Sequence, residues 1–279
     1  MNQLEAVRSF YARFVTGQAG VPATEAPLIK AFAAVPREKF IGPGPWQAVT
    51  KMGYVTIPSD DPVFLYQDFA VGLKPERQIN NGQPSLHARC LAALQIKAGE
   101  TLLHVGAGSG YYSAMLAELT GPSGSVIACE VDQALAARAT ANLSAYSNLK
   151  VQYGSGVEGP LPRCHVIYVN AGATDPMPAW LESLLPGGRL LFPLTSTQGV
   201  GGMLLVTQTG NRGFAARFVS PAAFIHCLGA RDDETGKRLI DAFKQGGLWN
   251  VQSLRRGTQR DSTCAFAGRD WWLSTAPVR

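Results

Sequence analysis

The residues of this chain that could do chemistry together lie in one short stretch. Gly106-Ala107-Gly108-Ser109-Gly110-Tyr111 sets three glycines at alternate positions, and Glu130 follows 20 residues after Gly110. A turn bare of side chains at alternate positions lets the main chain lie against a ligand, because no Cβ holds it away. A carboxylate ending the next strand can accept hydrogen bonds from both hydroxyls of a ribose, each worth about 1.5–3 kcal/mol to a charged acceptor. A dinucleotide fingerprint wants a further glycine where Tyr111 stands, for close packing of helix on strand. The GxGxG form therefore favours S-adenosylmethionine (SAM) over NAD. Taken singly, the glycines could be chain punctuation and Glu130 a surface strand end.

Other chemistries find little support. The five cysteines are far apart and show no CxxC spacing, and the four histidines show no HExxH or paired spacing. No metal site and no disulfide frame is expected, and the cysteines read as small core residues in a reducing compartment. With 25 basic and 20 acidic residues the net charge is +5 and the pI near 9.0. That suits acidic substrates and is too mild to imply nucleic acid. No apolar run reaches the roughly 18–20 residues that span a bilayer, and the opening segment lacks a secretory pattern. The expectation is a cytoplasmic protein without membrane partners.

The elements that must position the turn follow from periodicity. Residues 1–17 read as an amphipathic helix with Leu4, Val7, Tyr11 and Phe14 on its inner face. Residues 24–35 read as a second helix capped by Thr24 and ended by Val35-Pro36. Loops and short strands are expected over 41–82, and a helix over 84–94. From there strands and helices alternate: strand 101–105, helix 111–119, strand 125–130, helix 132–146, strand 150–153, strand 165–170, helix 178–185 and, after a Pro186-Gly187-Gly188 turn, strand 189–194. This spacing implies βαβ units in a doubly wound, mostly parallel α/β sheet, Rossmann-like, with ligands at the carboxyl ends of its strands. Segments 203–207 and 213–219 alternate like an antiparallel pair. The tail holds a helix at 235–243 and tryptophan-rich short strands. Three portions are expected: 1–82, helical and loop, covering the site; 83–231, the SAM-binding core; and 232–279, a C-terminal extension.

Several motifs carry a resemblance. Val35-Pro36-Arg37-Glu38-Lys39-Phe40, Gly82-Gln83, the run from Leu103 to Tyr111, Gly154-Ser155-Gly156 and the run from Leu185 to Pro193 fall in the order found in protein-L-isoaspartate O-methyltransferases, which the chain resembles over about 24–220. The Val35–Phe40 segment is the most specific, since generic methyltransferases lack it. The resemblance implies a class I SAM-dependent fold and transfer of a methyl group from SAM to the free carboxylate of an isoaspartyl residue in a protein or peptide, which starts its repair. It assigns Gln83, Gly106, Ala107, Gly108, Ser109, Gly110, Tyr111, Glu130, Val131, Ser155, Gly156 and Asn170 to the cofactor. A carboxylate is already ionised at neutral pH, so alignment and exclusion of water suffice without a general base.

Three departures bear on this. His104 replaces the acid two residues before the first glycine, and Ser155 replaces the aspartate of a GDG motif. Each removes charge assistance worth about 1–3 kcal/mol. The family loop reads GQT, an apolar residue and then an acceptor-guiding serine; here Asn80-Asn81-Gly82-Gln83-Pro84-Ser85-Leu86-His87 puts Leu86 at that place and Ser85 one residue early. Ser85 either guides the acceptor or caps the helix. His87 and Asn81 are further polar candidates there, against ordinary loop hydrogen bonding. Asn170 begins a run without the proline- and aromatic-rich motif that holds an exocyclic amine, so DNA base methylation is disfavoured. Two readings stand: a carboxyl O-methyltransferase, or a methyltransferase-fold binding module with lost or altered catalysis. The oligomeric state is not readable.

Overall fold

The computed structural model describes residues 3–210 and 213–278. Met1, at the start of the expected first helix, and Arg279, at the end of the tail, lie outside the described residues. The chain divides into two compact units, Met1–Glu100 with Ala107–Gly154, and Thr101–Gly106 with Ser155–Arg279.

The first unit opens on three helices, α1 (Gln3–Gln18), α2 (Ala26–Ala34) and α3 (Arg37–Ile41). The inner face of α1 is Tyr11, Ala12, Val15 and Thr16, and Phe14 is 42% exposed. The stripe is rotated from the expected one because Tyr11 packs edge-on against Phe32 and Tyr66, at 6.3 and 5.2 Å between ring centres. Phe10 and Phe14, one turn apart, stack on each other on the outside at 5.9 Å. Helix α2 starts at Ala26 without a cap from Thr24, since Glu25 N–H closes a turn on Pro22 O at 2.9 Å and Glu25 stands at the cap position. Pro36 ends it as the sequence implies.

The segment that follows α2 holds the chain at 65–69. The Arg37 guanidinium, fully buried, donates to the carbonyls of Leu65 (2.6 Å), Gln67 (2.8 Å) and Phe69 (2.5 Å). The Tyr66 hydroxyl accepts from Arg8 Nε (2.8 Å) and from the Arg37 N–H (3.2 Å), and donates to Glu38. Phe40 meets Tyr111 at 5.7 Å between ring centres. Each position of Val35–Phe40 that looked specific, apart from Lys39, thus has a physical task in the interior. Beyond it lie the hairpin β1 (Gln47–Thr50) and β2 (Gly53–Thr56), whose flanks pack Ile41, Trp46, Ile57, Leu65 and Val71 into one cluster. A short antiparallel pair, β3 (Gly72–Lys74) and β4 (Ile79–Asn80), leads into α4 (Pro84–Leu94).

Strand β5 (Thr101–Val105) belongs to the second unit, and the first resumes with α5 (Tyr111–Thr120), β6 (Ser125–Glu130), α6 (Gln133–Asn142) and β7 (Leu149–Tyr153). Strands β6 and β7 pair in parallel from Val126↔Leu149 to Glu130↔Tyr153, with α6 as their crossover. Helix α6 stops at Asn142, short of the expected Tyr146, because Leu143 leaves helical geometry and closes the last turn on Ala139.

In the second unit β5 pairs in parallel with β8 (Cys164–Val169), and β8 with β9 (Leu184–Thr195). Residues 102–105 and nearly all of β8 are buried, as strands covered on both faces must be. Short helix α7 (Pro178–Ser183) precedes β9. Strands β10 (Val200–Gln208), β11 (Phe214–Ala223) and β12 (Ser253–Arg256) continue the sheet antiparallel, and β14 (Trp271–Ser274) and β13 (Cys264–Ala267) complete it, so the tail extends the sheet. Helix α8 (Asp233–Gln245) is capped by Asp232, whose side chain accepts the Thr235 N–H. The expected turn at Pro186-Gly187-Gly188 lies inside β9 as a bulge: Cys164 faces Leu184 and Val166 faces Arg189.

That bulge explains the two glycines. Gly187 has φ +75°, and a Cβ on Gly188 would sit 2.7 Å from Leu185 O and 3.2 Å from His165 O. Gly188→Ala is expected to lower unfolding stability by about 1–3 kcal/mol, the usual cost of overpacking, measured by urea denaturation.

Candidate cofactor and acceptor site

In the first unit the glycine turn is fixed by hydrogen bonds to neighbouring strands and helices. Ala107 N–H donates to Cys129 O at 3.1 Å, Gly110 N–H to Ala107 O at 2.9 Å, and Asn142 Nδ2 to Ser109 O at 2.9 Å. Gly106, Gly108 and Gly110 have φ of 79°, 58° and 95°, the left-handed region that favours glycine. A Cβ on Gly110 would come within 2.7 Å of the Leu143 side chain, so α6 closes directly over the turn.

Glu130, at the end of β6, is 7% exposed and bridges two backbone groups: Oε2 accepts from Gly108 N–H at 2.7 Å and Oε1 from Asp132 N–H at 2.9 Å. Burial raises its pKa, and the backbone N–H donors oppose that shift. Each oxygen retains acceptor capacity for one ribose hydroxyl. Val131 beside it is 44% exposed and offers an apolar surface. Asp132 caps α6 through Leu135 N–H (3.0 Å) and binds Lys74 (2.6 Å) and Arg77 (2.7 Å), and the Lys74 hydrogen bond is the main cause of its lowered pKa. Between these anchors and the turn, Leu73 stands 3.4 Å from where a Gly108 Cβ would be.

The proposed acceptor loop is held by a residue outside it that the sequence reading missed. Asp68 accepts the Ser85 N–H on Oδ1 (2.8 Å) and the Gln83 side-chain amide on Oδ2 (3.1 Å), and Gln83 Nε2 also reaches Ser85 Oγ at 3.3 Å. The structure thus brings Gln83 and Ser85 together on one carboxylate. Asp68 is 17 residues from Ser85, beyond any local capping pattern, so no signal along the chain linked them. His87 goes elsewhere: it is 2% exposed, its ring stacks on Tyr112 at 3.6 Å and 8°, and Gly82 packs on its edge. Asn81 holds the main chain, accepting Val71 N–H on its side chain at 2.7 Å. Tyr111 buries its ring against Phe40 and Tyr112, leaving only its main chain for a ligand.

In the second unit His104 is completely buried at the end of β5, stacked on Tyr168 at 5.5 Å, with Nε2 accepting from Asn170 Nδ2 at 2.7 Å. Burial pulls its pKa down to about 3, so it is neutral at physiological pH. Asn170 Oδ1 is buried without a hydrogen-bond partner, an acceptor a ligand could satisfy. A Cβ on Gly106 would stand 3.5 Å from the Asn170 carbonyl carbon. Ser155 Oγ accepts Val157 N–H at 3.2 Å, keeping its own proton to donate, and Gly156 O accepts Trp180 Nε1 at 2.8 Å. Among the described residues no group of three or more His, Cys, Asp or Glu could hold a metal ion.

Residues 18–226 match the family model described as protein-L-isoaspartate(D-aspartate) O-methyltransferase. A protein-L-isoaspartate O-methyltransferase of Ignicoccus hospitalis is 34% identical over 146 residues, covering 51% of this chain and 69% of that one. Protein-L-isoaspartate O-methyltransferase 2 of an Anaeromyxobacter species is 30% identical over 203 residues, 71% of this chain and 74% of that one. A solved protein-L-isoaspartate O-methyltransferase superposes with TM-score 0.65 at 20% identity over 90% of this chain and 72% of that chain. A Plasmodium falciparum structure titled a putative member in complex with S-adenosyl-L-homocysteine gives 0.61 at 17% over 79% and 97%. The fold is that of the class I SAM-dependent methyltransferases, α/β with a mixed sheet of parallel and antiparallel strands.

Two outcomes are expected from this geometry. The unfolded chain protonates residue 104 near pH 6.5 and the folded chain only near 3, so folding is favoured above that window. Stability then falls as pH drops from 6.5 toward 3, by up to about 1.4 kcal/mol per pH unit. His104→Phe should flatten that slope in urea melts at pH 7 and pH 5. Glu130→Gln should weaken SAM binding about 10- to 100-fold by calorimetry, since the ribose and Gly108 both lose a charged acceptor.

Proposed function

The chain belongs to the protein-L-isoaspartate O-methyltransferase family, a family of SAM-dependent enzymes, and from that membership we propose how its own residues carry the reaction and on what. The acceptor is the free carboxylate of an isoaspartyl residue in a protein or peptide, and the product is its methyl ester, the first step of repair. SAM supplies, when bound, an electrophilic methyl group on a sulfonium.

The residues of each unit take separate tasks. In the first, Gly108, Ser109 and Gly110 present bare main chain, Ala107 and Tyr111 flank them, Glu130 takes the ribose hydroxyls and Val131 lies along the base. Gln83 and Ser85 stand on Asp68, and Ser85 Oγ accepts from Gln83, so its own proton can go to one oxygen of an acceptor carboxylate and leave the other to attack. His87 supports this loop from the interior by packing on Tyr112. In the second unit Gly106, Ser155, Gly156 and Asn170 take the remaining cofactor positions, with Asn170 Oδ1 the orphaned acceptor. No residue need remove a proton, because the attacking oxygen is ionised at neutral pH. Neutral His104 and uncharged Ser155 replace two family acids, and cofactor binding rests correspondingly more on Glu130.

The observation that carries this reading is the family match over 18–226, which contains the turn, Glu130 and the Gln83–Ser85 loop. It favours the enzyme over a binding module of the same fold. No helix among the described residues is long and apolar enough to cross a membrane, and a cytoplasmic place and a role in protein repair are part of the proposal. With methyl-labelled SAM, an isoaspartyl peptide should yield a base-labile methyl ester and the matching normal aspartyl peptide should not. Equal labelling of both peptides, or of neither, overturns the substrate assignment.

A further inference from the structure

The Gln83–Ser85 loop is held by a residue outside it, and the backbone on either side of that residue is held by a buried cation. Asp68 accepts from both members of the loop, at 2.8 Å from the Ser85 N–H and 3.1 Å from the Gln83 amide. Helix α4 has no cap of its own, since Gln83 at the cap position accepts no backbone N–H of the first turn on its side chain. The Asp68 carboxylate satisfies one of the orphan N–H groups there and places a negative charge at the positive end of the helix.

Asp68 lies between two of the three carbonyls that Arg37 grips. Gln67 O and Phe69 O receive its guanidinium at 2.8 and 2.5 Å, with Leu65 O at 2.6 Å completing the fork. Among the described residues no carboxylate forms an ion pair with Arg37, and the rings of Tyr11 and Phe69, at 5.9 and 5.7 Å, add to the three carbonyls. A fully buried guanidinium without a counterion costs free energy that a neutral side chain of similar volume would avoid. What it gives in return is geometric: a planar fork sets three carbonyls in one plane, as a lysine ammonium would not. Tyr66, in the same segment, is fixed independently by Glu38, Arg8 and the Arg37 N–H.

We propose that Asp68 is a positioning residue for the acceptor loop, setting Ser85 and Gln83 relative to each other, and that Arg37 acts through Asp68 by fixing the backbone on either side of it. This rests on the isoaspartyl reading for its kinetic arm only. Asp68→Asn should raise the KM for an isoaspartyl peptide about tenfold without loss of the folded state in circular dichroism, because Asn keeps one acceptor and loses the charge. Arg37→Lys should raise the same KM, and the double variant should be no worse than the poorer single one, the non-additivity expected of residues acting in series. A merely structural role would lower thermal stability and leave KM unchanged. The second arm needs no turnover: amide exchange over 83–87 should quicken in Asp68→Asn and in Arg37→Lys.

Wild-type KM in Asp68→Asn, effects of the two variants that simply add, or unchanged exchange over 83–87 would each overturn the proposal. Should the wild-type chain methylate no isoaspartyl peptide while exchange over 83–87 responds in both variants, the substrate assignment fails and the positioning by Asp68 stands. Where Arg37→Lys does not fold, Asp68→Asn alone decides, since Asp68 is only half-buried.

Discussion

A buried carboxylate must find donors, and the first unit is arranged around the ones Glu130 finds. Gly108 and Asp132 each give it a backbone N–H, at 2.7 and 2.9 Å. That bridge ties the glycine turn to the start of α6. Asp132, fixed in the same bridge, uses its own side chain to cap the helix and to hold Lys74 and Arg77. One acid therefore fixes the turn, the next helix and, through its neighbour, the segment at 72–77 that carries Leu73 against Gly108. The turn keeps its positive-φ backbone because these contacts over-determine it.

The acceptor side obeys a different rule. It needs no base, so its polar residues suit placement and not proton transfer, and the hydrogen bonds that the loop at 83–85 donates to Asp68 meet that need. The Val35–Phe40 segment, the most specific feature of the family, turns out to serve the same end. Arg37 grips the carbonyls of 65, 67 and 69 and Glu38 holds Tyr66, so a motif far from the loop governs the chain that supports it. In the second unit the substitution of His104 for an acid is absorbed quietly: burial keeps the imidazole neutral and Asn170 supplies its partner at 2.7 Å.

The order of elements, the glycine turn, Glu130 at the end of its strand and the family were all legible along the chain. Each depends on residues close in sequence: apolar periodicity sets strands and helices, Gly106, Gly108 and Gly110 supply conformations other residues resist, and βαβ spacing sets Glu130 at the same end of the sheet. Element ends were less legible. Helix α6 stopped early at Leu143, and the Pro186-Gly187-Gly188 run became a bulge within β9, because pairing with β8 won over the turn its residues favour. The inner face of α1 turned toward Tyr11 since ring packing with Phe32 and Tyr66 outweighed the longer apolar stripe.

Sequence by itself determined which groups the chain carries and the local backbone they allow. Only tertiary structure decided their partners. It took His87 into the interior against Tyr112, gave Asn81 to Val71, and brought Asp68 across 17 residues to Ser85. The physical reason is range. Torsional preferences and helix or strand periods act over a few residues, whereas a buried carboxylate or guanidinium takes its partners from whatever segment the packing brings within about 3 Å, and that distance in space has no fixed distance in sequence.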